Sequence, residues 1–230
     1  MNRHDTSRTL PWMREGTAQL LAVVDKLTDE DLRGPSALPD WTCAHVVGHV
    51  ARNAEALHRL ATWARTGVET PMYADREQRA AEIERSATYP AARLREELAS
   101  TAAVLDDALD ALTPAQWQAQ VRSALGRAIP AAEVPWMRIR EVWLHAVDLG
   151  AVMDDLPSGV VDLLLDDVSA ALSAKEGCPS LTLHPTDRDR TWALGGNHPC
   201  RTVTASAADL AGLLTGRVTV ADRTALPRWL

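Results

Sequence analysis

Two short stretches of this 230-residue sequence put proton- and metal-binding side chains at helical spacing. The first is His45-Val-Val-Gly-His49-Val-Ala-Arg52-Asn53. At about 100° per residue, four steps return to within about 40° of the start, so His45 and His49 share one helix face. The second is Glu141-Val-Trp-Leu-His145, which sets a carboxylate and an imidazole on one stripe in the same way. Both segments are otherwise apolar (Val46, Val47, Val50; Val142, Trp143, Leu144, Ala146, Val147), so their polar members face a core or a cleft in it. A buried imidazole or carboxylate without a partner is costly, and one divalent cation satisfies several such groups together. Inward-facing pairs from different helices are how helical bundles build metal sites. Spacing alone leaves simpler readings open: a core histidine hydrogen-bonded on its own, or a surface Glu141–His145 pair worth about 0.3 kcal/mol.

The elements that must position these residues are helical over the first two thirds of the chain. Apolar residues at Leu10, Met13, Leu20, Leu21, Val24 and Leu27 predict a helix over 6–26. Thr28 and the acidic run after it predict a short capped turn. A long helix follows over 41–65, capped by Thr42, and a charged, solvated helix over 75–86. Leu94, Leu98, Ala102, Leu105, Leu109 and Leu112 make one stripe of a helix over 90–112. Residues 121–130 alternate weakly, as a loop or hairpin. A fourth long helix over 131–150 is entered through Pro135 and ends at Gly150. Four long helices predict a four-helix bundle over 1–154. Beyond Pro157 the pattern changes to an apolar helix over 160–174, three short alternating segments in a meander (180–184, 191–194, 201–206) and a closing helix over 207–214. Residues 155–230 therefore read as a small α+β domain packed on the bundle.

Composition narrows the function classes. The chain carries 24 Lys+Arg against 31 Asp+Glu, a formal charge of −7, without a basic block, which argues against a nucleic-acid partner or a polybasic membrane anchor. No window approaches the roughly 20 apolar residues of a membrane span. The N-terminus lacks a signal-peptide core, and three widely spaced cysteines (Cys43, Cys178, Cys200) do not form a disulfide framework. A soluble cytoplasmic protein is expected. Cys43 reads as a small buried hydrophobe. His4, His58, His184 and His198 lie at termini, polar helix surface or turns.

The segment LPDWTCAHVVGHVARNAEAL, followed about ninety residues later by REVWLHAVDL, resembles the mycothiol-dependent maleylpyruvate isomerase family of the DinB/YfiT-like metalloprotein superfamily. The distinctive parts are Trp41-x(3)-His45-x(3)-His49-x(3)-Asn53 and Glu141-x(3)-His145-x(2)-Asp148, and the likeness extends through LLTGR and LPRWL at the C-terminus. The resemblance implies a DinB-like bundle followed by a smaller α/β domain. It further implies a zinc or other divalent ion held by His49, Glu141 and His145, with an open fourth position that accepts the thiol of mycothiol. Thiolate addition to the cis double bond of maleylpyruvate, rotation and elimination would then give the trans product. The substrate's carboxylates call for arginines. Arg52 near the metal face and Arg217 or Arg223 of the C-terminal region are the candidates, Arg217 first because the family resembled has a functional arginine there. His45 is a positioning or structural residue, and Asn53 lines the pocket. Asp148 hydrogen-bonds within the bundle or anchors the following loop. A monomer is expected, with only a small electrophile and a low-molecular-weight thiol as partners. Other readings of the same residues are a mycothiol S-transferase, a non-haem iron facial triad, a non-catalytic metal-binding DinB-like domain, and a bundle without metal.

Overall fold

The computed structural model describes residues 2–196, 201–220 and 225–229. It divides into two compact units, one covering Asn2–Ala151 and one beginning at Val152. The division falls slightly ahead of the expected 154/155 because Met153 belongs to the second unit, where its side chain lies against Gly212.

In the first unit, α1 (Thr6–Lys26) starts at Asp5, whose carboxylate accepts from the Ser7 N–H, and buries the stripe Thr9, Met13, Gly16, Leu20 and Val24. The short α2 (Asp29–Arg33) is set by a reciprocal cap between Thr28 and Asp31. Helix α3 (Cys43–Thr66) is capped by Thr42 and stopped by Gly67 in the left-handed region, φ 74°. Its buried residues run almost all round the axis, because α4 (Arg76–Ala87), α5 (Ala91–Asp110) and α7 (Val134–Asp148) all pack on it. After α6 (Pro114–Trp117), the ambiguous stretch 121–130 forms an antiparallel hairpin of β1 (Gln120–Arg122) and β2 (Ala128–Pro130). The four long helices α1, α3, α5 and α7 close a ring, α3 packing on α5 and α7, and α1 packing on the same two. That is the expected bundle. Its interior is largely aliphatic, with Leu20, Leu57, Leu60, Leu98, Leu105, Leu109 and Ile139 fully buried, as is Trp136.

Two details of this unit bear on the site. A Cβ on Gly48 would come 2.6 Å from the Ser86 Cβ, so α4 approaches α3 at a distance that only glycine allows. Glu133, on the turn that leads into α7, is 2% exposed. Arg3 Nε reaches it at 2.9 Å and Arg127 Nη2 at 3.1 Å, and His4 hydrogen-bonds to the same carboxylate.

The second unit holds α8 (Ser158–Ser173), β3 (Leu181–Pro185), β4 (Trp192–Leu194), β5 (Thr202–Ala205) and α9 (Ala207–Thr215). The three strands are not a meander. β3 is central, antiparallel to β4 and parallel to β5, so the chain crosses from one edge of β3 to the other. The alternation of Leu181, Leu183, Trp192, Leu194 and Val203 fixes which face is buried but carries nothing about strand order. No described helix is long and apolar enough to cross a membrane.

Burial pushes the Glu133 carboxyl up, but His4, Arg3 and Arg127 outweigh it and hold the group below the ordinary value of 4.5. A depressed carboxylate stabilises the fold above its unfolded pKa, and that stability is lost as pH falls through the folded value. Chemical denaturation of Glu133→Gln near neutral pH is expected to show a loss of about 1–3 kcal/mol. The gap should close as the solution is acidified below 4.5. A gap that persists unchanged to about pH 2 contradicts this account.

Candidate metal centre

Helix α3 contributes His49, and α7 contributes Glu141 and, one turn later, His145. One ligand atom from each lies within 4.8 Å of the other two. His49 Nε2 is 2.9 Å from Glu141 Oε2, and His145 Nε2 is 3.3 Å from the same oxygen. The two imidazole rings are 5.0 Å apart and perpendicular, so their nitrogens converge on the carboxylate from two sides. His145 is fixed from behind: its Nδ1 shares a 2.8 Å hydrogen bond with Oδ2 of buried Asp148. That leaves Nε2 as the nitrogen turned to the cluster, an arrangement common for metal-bound imidazoles. Two imidazole nitrogens and one carboxylate oxygen, preoriented and largely shielded, fit a zinc ion. A three-residue donor set leaves a fourth position for an exogenous ligand.

The charges in the cluster are strongly coupled. Burial pushes the Glu141 carboxyl up, yet the hydrogen bonds from His145 and His49 outweigh it and hold the group well below its ordinary range. Burial pushes His49 down, against the pull of Glu141, which favours the neutral imidazole a metal needs. Burial also works against a charged His145, but Asp148 and Glu141 together raise it. Beneath the cluster, one turn before Glu141, Arg138 is 1% exposed. Its Nη1 donates to Val50 O at 2.7 Å and Asn53 Oδ1 at 3.0 Å, tying α7 to α3 next to the ligands. Burial pushes this guanidinium down to about 10, with the Glu141 charge opposing.

The remaining sequence candidates separate. Asn53 is buried and serves Arg138 rather than an open pocket wall. His45 closes the start of α3: its Nδ1 accepts from the Thr42 N–H at 3.2 Å and lies 2.7 Å from the Thr42 hydroxyl, while its Nε2 lies 3.4 Å from Glu84. Its ring is held by the cap and stacks on Trp41, whose edge contact with His49 walls one side of the cluster. Trp41 is set by a tight loop in which Ser36 binds its carbonyl through both N–H and hydroxyl, and the preceding Asp40 takes a positive φ of 66°. Arg52 is engaged by carboxylates, Glu55 at 3.2 Å and Glu97. Arg217 belongs to the second unit, where its Nη1 donates to Thr215 O at 2.8 Å. Arg223, like His198 and Cys200, lies outside the described residues. Cys43 is buried, and burial pushes its thiol up.

Sequence reasoning missed Arg138, Arg79 and Tyr73. Arg138 was legible in principle, since it stands at i−3 from Glu141 on the same stripe. Arg79 was not, because the stretch around it is charged throughout. In the structure α4 carries it to the cluster, its Nη2 3.4 Å from His49 Nδ1 and its guanidinium 5.9 Å from the centre of the Tyr73 ring. Burial pushes the Tyr73 phenol up, Arg79 opposing and Glu141 adding to the shift, which sets the hydroxyl within the field of both.

Comparison with known proteins agrees with this geometry. Residues 13–150 match the family described as the mycothiol maleylpyruvate isomerase N-terminal domain. The fold matches a crystal structure of the mycothiol-dependent maleylpyruvate isomerase with a TM-score of 0.93, at 32% identity and over 100% of both chains. A histidine-to-alanine mutant of that enzyme matches with a TM-score of 0.92, also at 32% identity and over 100% of both chains. No curated protein sequence matches the chain. With more than half of its length matched, over the same segment that carries His49, Glu141 and His145, the chain belongs to the mycothiol maleylpyruvate isomerase family.

Proposed function

We propose that this protein is a divalent-metal, mycothiol-dependent isomerase that converts maleylpyruvate to fumarylpyruvate, with zinc held by His49, Glu141 and His145. The observation that carries the reading is the convergence of those three side chains within 4.8 Å from two helices. A zinc ion held by these residues would supply Lewis acidity, lowering the pKa of a thiol toward neutral pH.

The protein's own groups do the rest. Asp148 accepts from His145 Nδ1 and so presents Nε2 in a fixed orientation. Glu141, ionised well below its ordinary range, supplies the one negative charge among the three ligands, so a divalent ion leaves the set with a net positive charge. Arg138 pins α7 to α3 at Val50 and Asn53, which keeps the donor spacing from relaxing. The Trp41 indole excludes water from one flank of His49. Addition of the thiol's sulfur to the cis alkene makes the central carbon–carbon bond single. Rotation and elimination then restore the double bond in trans geometry, return the thiol and leave no net redox change.

Metal-loaded protein supplied with mycothiol and maleylpyruvate is expected to form the trans isomer, followed by its absorbance. Accumulation of a stable thioether in its place identifies an S-transferase. His49→Ala should lose both the ion and turnover, and a variant that retains both removes His49 from the ligand set. Asp148→Asn keeps a hydrogen-bonding side chain behind His145 but loses the carboxylate, and should weaken zinc affinity by about 10- to 100-fold in a chelator competition. An unchanged zinc affinity would falsify the orienting role of Asp148.

A further inference from the structure

Helix α4 packs on α3 through one stripe at i, i+4 and i+7: Arg79, Ile83 and Ser86. Ile83 and Ser86 are buried, and Ser86 sits in the space left by the absent side chain of Gly48. The third member is a cation, and this same packing lays it against the ring of His49, the residue next to Gly48. Several arginines of this unit pair with carboxylates, Arg14 with Asp106 and Asp110, Arg52 with Glu55 and Glu97 and Arg95 with Asp29, whereas Arg59 and Arg138 donate to backbone carbonyls. Among the described residues no carboxylate lies within 4.0 Å of the Arg79 guanidinium. Its neighbours are an imidazole nitrogen and Tyr73, whose ring it faces and whose phenol oxygen accepts a hydrogen bond from it.

The imidazole is a partner only in one tautomer. His49 turns Nε2 toward Glu141 and Nδ1 toward Arg79. A neutral imidazole that donates its Nε2 lone pair to a metal carries its proton on Nδ1, and two N–H donors cannot share a hydrogen bond. Filling the ligand set therefore frees the Nη2 donor of Arg79 for an acceptor from outside. A divalent ion there would be only half neutralised by Glu141, so the charge beside Arg79 would favour an anion.

We propose that Arg79, seated on Tyr73, takes a carboxylate of the electrophile and so selects carboxylate-bearing alkenes at this centre. The proposal rests on the isomerase reading for the identity of the electrophile, but its test does not need turnover. The probe is maleate, a cis-dicarboxylate, titrated calorimetrically into zinc-loaded wild type, Arg79→Met and Arg79→Lys, with zinc content measured on each. Wild type is expected to bind maleate. Arg79→Met should bind it at least about tenfold more weakly, because a charge-assisted fork is lost. Arg79→Lys, which keeps the charge without the planar fork, should fall between them, and all three should retain equal zinc. Maleate binding that is absent from wild type, or unchanged in Arg79→Met, overturns the proposal. Loss of zinc from Arg79→Met also overturns it, since Arg79 would then act through the ligands. Arg79-dependent maleate binding in a protein that does not isomerise maleylpyruvate leaves this inference standing and sinks the isomerase reading alone.

Discussion

A single half-buried carboxylate oxygen organises this part of the bundle. Glu141 Oε2 is approached by His49 from α3 and by His145 from its own helix, and the protein balances that charge before any ligand arrives. Taking a carboxylate out of water is expensive unless hydrogen bonds and counter-charges replace the solvent. Here the replacements come from two imidazoles beside it and the Arg138 guanidinium one turn below. Without α3 the carboxylate loses His49, and without α7 His49 loses both Glu141 and His145. The cluster therefore specifies how α3 and α7 meet, as well as what they can bind.

The surrounding architecture serves that meeting. α3 is buried on nearly every side, which makes it the rigid axis on which α4, α5 and α7 are hung. Its start is fixed by the reciprocal Thr42–His45 cap, so the face that carries His49 cannot rotate without breaking the first turn. Trp41 is held by its loop and spans both histidines, stacking on His45 and meeting His49 edge-on. The two members of the His-x(3)-His pair thus have separate duties, the first closing the helix and the second entering the cluster. Chelation by both would need the first to abandon its cap.

How much of this could be read from the amino acids differs by kind of signal. The four bundle helices follow from apolar periodicity and caps, and lie within a few residues of their expected bounds, since stripes such as Leu94–Leu98–Leu105–Leu109 admit few other structures. The Glu141–His145 face was legible because that pair is local in sequence, whereas the juxtaposition of His49 with it, across 92 residues, was implied by the family resemblance. Strand order in the second unit was not. Alternation encodes a buried face, whereas pairing is decided by which edge the returning chain reaches. Arg79 was illegible for a related reason. On its own helix it is one charge among many, and only the Gly48–Ser86 approach, a contact between helices, gives it a place.

The cluster of Arg3, His4 and Arg127 about Glu133 fastens the beginning of the chain to the first residues of the helix that carries Glu141 and His145. Arg3 and His4 are thereby mechanically coupled to the metal-ligating helix. Truncating those first residues, or displacing them with an affinity tag, would strip Arg3 and His4 from a shielded carboxylate at the root of α7.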